Sequence, residues 1–144
     1  MGTDTQQGQA TRKVSFRLTA CLPSRPLAID LVTALVKHVT TADQEFRDAI
    51  TTAFGEAFNN VVIHGYKDRT DGVLDVDAEL GAAHVIIKLL DTGISADFSV
   101  MPALDFEALA ESGRGMFMIH SLVDEVDYQP GSPNVLSLTK RTGR

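Results

Sequence analysis

Residues 55–66 read GEAFNNVVIHGY, and the reading of this stretch decides the fold. Phe54, Ala57, Phe58 and Val61, with Ile50 one turn earlier, recur at three- and four-residue spacing, so the segment is predicted to be the second half of an amphipathic helix. Glu56, Asn60 and His64 fall at i, i+4 and i+8, which puts a polar stripe on the other face, away from the core. Asparagine is a mediocre helix former because its amide competes for backbone hydrogen bonds. Asn59-Asn60 inside an apolar-patterned helix therefore costs local stability that something must offset.

Working outward, this helix is expected to begin near Thr41–Asp43, where an N-cap candidate precedes acidic residues, and to run to about His64, with Gly65 as its stop. Upstream, KVSFRLTA at 13–20 alternates, with Val14, Phe16 and Leu18 on one side, as a half-buried strand does. Pro23 and Pro26 interrupt it, and Leu27–Val39 follows as a helix with the stripe Leu27, Leu31, Ala34, Leu35 and His38. Downstream of the Asp71-Gly72 turn come two strand-like runs, Val73–Leu80 and His84–Leu90, joined at Gly81 as a hairpin. The stretch 91–112 reads as a long loop, Gly115–Leu122 as a helix, and Glu125–Gln129 and Val135–Lys140 as strands across a Pro130-Gly131 turn. Hairpin-joined strands pair antiparallel. The order therefore implies an α/β (α+β) two-layer sandwich, a mixed, mostly antiparallel sheet with helices on one face.

Composition sets the outer limits. The 144 residues fit one domain, expected at 12–144 behind a polar, aperiodic tail at 1–11 that reads as flexible. A hydrophobic share of 44% and a charged share of 22% are those of a globular chain. Net charge is −6 and no run of five or six Lys or Arg occurs, which argues against direct nucleic-acid binding. Cys21 has no partner cysteine, and neither a signal segment nor a membrane-spanning apolar run is evident, so a cytoplasmic protein without a membrane partner is expected.

Three stretches carry candidate chemistry. On the predicted helix, the polar stripe reads either as solvated surface or as a carboxylate and a neutral oxygen ligand side by side. Mg²⁺ accepts oxygen ligands and keeps several waters, so one Asn60 carbonyl with nucleotide phosphates could hold it. Glu56 would then be free to orient or deprotonate a nucleophile. In IIKLLDTGISADF at 86–98, an apolar strand ends at Asp91 with Gly93 two residues on. That is either a plain turn or a carboxylate fixed to accept from an amino group such as adenine's. In SGRGMFMIHSLVDEVDY at 112–128, Gly113 and Gly115 precede an apolar helix whose first N–H groups could meet phosphates, with Arg114 adding a charge-assisted contact. Met116, Phe117, Ile119 and Leu122 read as core. Neither the P-loop nor the dinucleotide fingerprint is present.

Taken in order, E-x-x-x-N on a helix, D-x-G after a strand and G-x-G before a helix resemble the N, G1 and G2 boxes of the GHKL (histidine-kinase-like, Bergerat) ATP-binding fold over about residues 13–140. More narrowly, GEAFNNVVIHGY, then DTG, a loop of some twenty residues and SGRGMFMIHSLVDEV are similar to the anti-sigma-factor serine/threonine kinases. By this resemblance Glu56 matches the catalytic base and Asn60 the magnesium ligand. Asp91 matches the adenine-reading carboxylate with Gly93 beside it, Gly113 and Gly115 match the glycines flanking the phosphates, and a lid spans roughly 99–112. Ser95 stands where the broad fold has the second glycine of its G1 box. His64 matches a helix-end residue typical of the family.

The resemblance implies a kinase that uses ATP and Mg²⁺ to phosphorylate a serine of an anti-anti-sigma (STAS) protein and that also binds a sigma factor. The alternative is a nucleotide-gated partner-binding module of the same fold without kinase activity; Glu56 argues against it. A two-component histidine kinase domain ranks third, because the chain lacks a dimerisation helix pair. Homodimerisation is common in the family, and no segment here demonstrates it.

Overall fold

In the computed structural model, residues 10–67, 69–95 and 111–143 are described, the last segment with side chains from residue 115 onward. Strand β1 (Arg12–Thr19) leads through a short 3-10 turn into helix α1 (Arg25–Val36) and then helix α2 (Gln44–Asn59). Strands β2 (Val73–Leu80) and β3 (His84–Asp91), helix α3 (Glu111–Leu122) and strands β4 (Glu125–Gln129) and β5 (Asn134–Arg141) follow.

The five strands lie in the order β1-β2-β3-β5-β4. All four pairings are antiparallel, so among the described residues the sheet has no parallel pair and the expected mixture does not occur. The reason lies in the last hairpin, which returns with β5 rather than β4 against β3. Side chains alternate across the sheet. Leu74, Val76, Ala78, Ile87, Leu89, Leu136 and Leu138 are buried on one face, while Asp75, Asp77, Glu79 and Lys88 lie on the other.

The helices cover the apolar face and share one core with it. Helix α2 is its centre. Its start is capped by Asp43, whose side chain accepts from Phe46 N at 2.8 Å. Ile50, Phe54 and Phe58 along it are fully enclosed, each worth roughly 1.5–3 kcal/mol of burial. Helix α1 begins two residues before the expected Leu27, with Pro26 in its first turn. Its buried stripe is Ala28, Val32 and Val36, one position round from the expected Leu27, Leu31, Ala34, Leu35 and His38. Small and β-branched residues let α1 approach the core closely, and Leu27 is left 56% exposed. Among the described residues no helix is long and apolar enough to cross a membrane.

Candidate functional site

Helix α2 was expected to run to His64, but its regular geometry ends at Asn59 and the backbone widens into a π-helical segment over Asn60–Gly65. The Asn60 N–H is shared between the carbonyls of Glu56 and Ala57, and Tyr66 N reaches Val61 O at 2.9 Å. Two asparagines and three consecutive β-branched residues weaken the α-helix here, and single π turns of this kind often occur at functional sites. Widening breaks the i, i+4, i+8 register. Glu56 and Asn60 remain together, whereas His64 is exposed.

Glu56 and Asn60 face α3 rather than open water. A Cβ placed on Gly115 would come 3.2 Å from Glu56 Oε1 and 3.7 Å from Asn60 Oδ1, so the missing side chain leaves a gap over both polar groups. Asn60 Nδ2 donates to the Met116 sulfur at 3.4 Å, which turns Oδ1 toward that gap. Gly113 and Gly115 were expected to precede the helix, yet α3 starts at Glu111 and contains both. Packing of α3 on α2 outweighs the low helix propensity of glycine at these positions. Gly113 still falls among the first four residues, whose N–H groups have no partner within the helix, while the N–H of Gly115 belongs to the helix's own ladder. The side chain of Arg114 and residues 99–110 of the expected lid lie outside the described residues.

At the other end of the site, Asp91 closes β3. Among the described residues Asp91 and Asn134 are the buried polar side chains, and they bond to each other. Asp91 Oδ1 accepts from Gly93 N at 2.9 Å and from Asn134 Nδ2 at 3.0 Å. Asn134 Nδ2 also donates to Gly93 O at 3.0 Å, and its Oδ1 accepts from Ser95 Oγ at 2.6 Å and Gly131 N at 2.9 Å. The loop after β3 then docks on the π segment. Ile94 N donates to Gly65 O at 2.8 Å, and a Cβ on Gly93 would lie 2.5 Å from that same oxygen. Only glycine permits this approach. A Cβ on Gly65 would in turn be 3.7 Å from Asp91 Oδ1, so two glycines bring the ends of the π segment and of β3 together.

Tyr66 braces that junction from behind. Its hydroxyl donates to Val73 O at 2.8 Å and accepts from Thr92 N at 2.9 Å, and its ring lies over Gly72. A cavity of about 390 Å³ opens beside it, lined by Lys67, Arg69, Thr92 and Ile94 among others; Glu56, Asn60 and Asp91 do not line it. Among the described residues no cluster of three or more His, Cys, Asp or Glu could cage a metal. A divalent ion on this side of α2 would take oxygen from Asn60 and the rest from water and ligand, the coordination that suits Mg²⁺.

A family model described as the histidine kinase-like ATPase domain matches residues 22–140, from the 3-10 turn before α1 through most of β5. The chain belongs to the histidine kinase-like ATPase domain family. Its relatives include an anti-sigma F factor of Clostridium beijerinckii, 29% identical over 136 residues, covering 90% of this chain and 94% of that one. A serine-protein kinase RsbW of Staphylococcus aureus is 32% identical over 99 residues, 61% of each chain. Among solved structures, the RsbU and RsbW domains of a Mycobacterium tuberculosis protein match with a TM-score of 0.66 at 22% identity, covering 90% of this chain and 32% of that one. The histidine kinase domain of a blue-light activated kinase from Erythrobacter litoralis matches with a TM-score of 0.52 at 12% identity, over 81% of this chain and 60% of that one.

Within this histidine kinase-like ATPase fold, the residues picked from sequence gather at two neighbouring places. Glu56, Asn60 and Gly115 meet between α2 and α3, and Asp91 and Gly93 meet the end of α2 through Gly65. Asn134, Ser95 and Tyr66 complete the second place and were not picked as site residues. The signal for Asn134 was thin, since an asparagine after Pro-Gly-Ser-Pro reads as turn chemistry. The two hydrogen bonds that its amide donates are visible only in three dimensions.

Proposed function

We propose that this chain binds Mg-ATP between α2, the end of β3 and α3, phosphorylates a serine of an anti-anti-sigma protein of the STAS class, and sequesters a sigma factor. The observation that carries this reading is the close approach of Gly115, whose missing side chain leaves room beside a carboxylate and an amide oxygen that lie side by side. Phosphoryl transfer depends on positioning and charge stabilisation, and these two groups suit two of its parts, a metal ligand and a residue that orients the nucleophile. Asp91, held by Gly93 and Asn134 through Oδ1, accepts from the exocyclic amine of adenine. Asn60 Oδ1 would hold a magnesium ion, which would supply neutralisation of charge on the phosphate oxygens. Gly113 offers a first-turn N–H to phosphate at the positive end of α3, and Arg114 beside it adds a cation. Gly93 and Gly115 contribute by what they leave out, a Cβ that would fill the site.

Glu56 is the base. Among the described residues no hydrogen bond or ion pair engages its carboxylate, and it is only partly buried. As the serine oxygen bonds to the γ-phosphorus and the bond to the ADP oxygen breaks, the hydroxyl proton passes to Glu56. The names of the relatives, anti-sigma F factor and serine-protein kinase, support the choice of protein substrate over a small molecule. Incubation with γ-labelled ATP, magnesium and the STAS proteins of the same genome tests it. Label on a serine of one of them is the expected result. Nucleotide binding and partner capture with no label would instead make the chain a nucleotide-gated binding module.

A further inference from the structure

Arg25 opens α1 with its guanidinium laid against α2, and nothing in the proposed transfer uses it. A Cβ on Gly55 would lie 2.6 Å from Arg25 Nη2, 3.4 Å from its Cζ and 3.1 Å from Ile29 Cδ1. A side chain at 55 would push the guanidinium aside, so this helix-interior glycine leaves the room in which it lies. The Arg25 Nε is buried without a hydrogen-bond partner. A donor closed off from water and left unpaired is costly enough to need an explanation. Acidic groups are not scarce, since the chain carries 19 of them against 13 Lys and Arg. Arg17, Arg69 and Arg141 each hold a carboxylate on open surface, where such pairs matter least, whereas the half-buried Arg25 has none among the described residues.

We infer that Arg25 receives a carboxylate of the protein substrate and so presents the target hydroxyl to Glu56. This rests on the kinase reading above. Gly55 and Glu56 are consecutive on α2, about 100° apart around its axis, with α1 packed on the first and α3 over the second. Glu56 therefore lies between the guanidinium on one flank and the Gly115 gap on the other. In the proposed site the nucleotide phosphates belong with Asn60, one helical turn beyond Glu56. What arrives on the Arg25 flank is the acceptor. The exposed Leu22 and Leu27, at 46% and 56%, sit just before and just after Arg25 in the chain and give that flank an apolar rim. An acidic residue near the target serine matches the two terminal nitrogens of the guanidinium, which pair with a carboxylate end-on while Nε stays enclosed.

The test compares wild type with Arg25→Ala, Arg25→Lys and Gly55→Leu, the last of which unseats the guanidinium without removing it; thermal melts verify that each folds. Two quantities are read: KM for the STAS substrate in the transfer assay, and the calorimetric affinity of the nucleotide-loaded protein for the same STAS protein. Arg25→Ala should raise KM and weaken binding roughly tenfold or more, in line with losing a charge-assisted contact, with ATP affinity and kcat at saturating protein unchanged. Lys should recover little, and Gly55→Leu should resemble Ala. An unchanged KM and partner affinity in Arg25→Ala overturns the inference, and so does a loss confined to ATP affinity, which would assign Arg25 to the phosphates. If wild type binds the STAS protein but transfers nothing, the kinase reading falls alone, and the calorimetric comparison still decides the role of Arg25.

Discussion

Ser95 Oγ donates to Asn134 Oδ1 at 2.6 Å, and the same asparagine donates through Nδ2 to Asp91 Oδ1 at 3.0 Å. Ser95 occupies the position where the broad fold carries a second glycine, and its hydroxyl does what a glycine could not. It fastens the loop after β3 to the turn between β4 and β5. The departure from the general pattern is thus matched by an asparagine across the sheet, and the pair together sets the direction of the Asp91 carboxylate.

Asn134→Ala should therefore act twice. It removes four hydrogen bonds at a fully enclosed position and leaves Ser95, Gly131 and Asp91 short of partners, which should lower stability by about 1–3 kcal/mol in a denaturant titration. ATP affinity should fall as well, because Asp91 loses the contact that aims it. Ser95→Gly restores the general pattern yet should also weaken ATP, by several-fold. Calorimetry on Ser95→Gly showing tighter binding would mean that the hydroxyl obstructs the site rather than builds it.

The parts of this fold that were legible in sequence are those set by local period. The strand-like runs at 73–80 and 84–90 mark both strands of the first hairpin, the second of which extends one residue further to Asp91, and Asp43 marks the start of α2 through its cap. Asp91-x-Gly93 was found because a strand end and a glycine are adjacent in the chain. What stayed hidden depends on contacts between distant segments. The π turn at Asn60 accompanies the docking of Gly93 and Ile94 on Gly65 O, and the seat of Arg25 is a glycine thirty residues away. Gly113-x-Gly115 reads locally as a break before a helix; packing against Glu56 and Asn60 draws it inside α3. The α1 stripe was misplaced because two apolar stripes one residue apart both fit the helical period, and only the neighbour α2 chooses between them.

Gly115→Ala should separate stability from function. Alanine is intrinsically better than glycine in a helix by about 1 kcal/mol, which should offset the tight contact at this buried position and hold the melting temperature near that of wild type. The new Cβ would lie 3.2 Å from Glu56 Oε1, tight enough to push that carboxylate aside by a few tenths of an ångström. Phosphoryl transfer should fall about tenfold, since misplacing a reacting group is costly even at small displacements. A variant that melts higher and transfers at the wild-type rate would show that Glu56 has room to spare.

The edge strand β1 offers a pH-dependent test. Arg17 donates to Asp75 on β2 through Nε at 2.7 Å and Nη2 at 3.1 Å, and this hydrogen-bonded guanidinium holds the Asp75 carboxyl below its ordinary range. A carboxyl depressed in the folded state adds stability above its unfolded pKa, near 3.9, and loses it as pH falls through the lower folded value. Arg17→Gln should thus be less stable than wild type at neutral pH, by a small margin because the pair is exposed, and the two curves should converge in acid. A constant gap down to pH 2 would assign the difference to packing of the arginine stem instead.

The sharpest test falls on Glu56, where kinase and binding module diverge. Glu56→Gln keeps the size of the side chain and one acceptor oxygen beneath Gly115 but cannot take a proton, and loss of a general base costs roughly 10²–10⁴-fold. Nucleotide affinity should survive, because Asn60, Asp91 and the first turn of α3 are untouched and the carboxylate makes no hydrogen bond among the described residues. Sigma-factor capture should survive too, as it depends on surface rather than on proton transfer. Single-turnover transfer from labelled ATP to the STAS partner isolates the chemical step from product release, so a drop there of two decades or more is the expected outcome. Transfer at the original rate would remove Glu56 as the base, and a drop matched by an equal loss of ATP affinity would make its role one of binding.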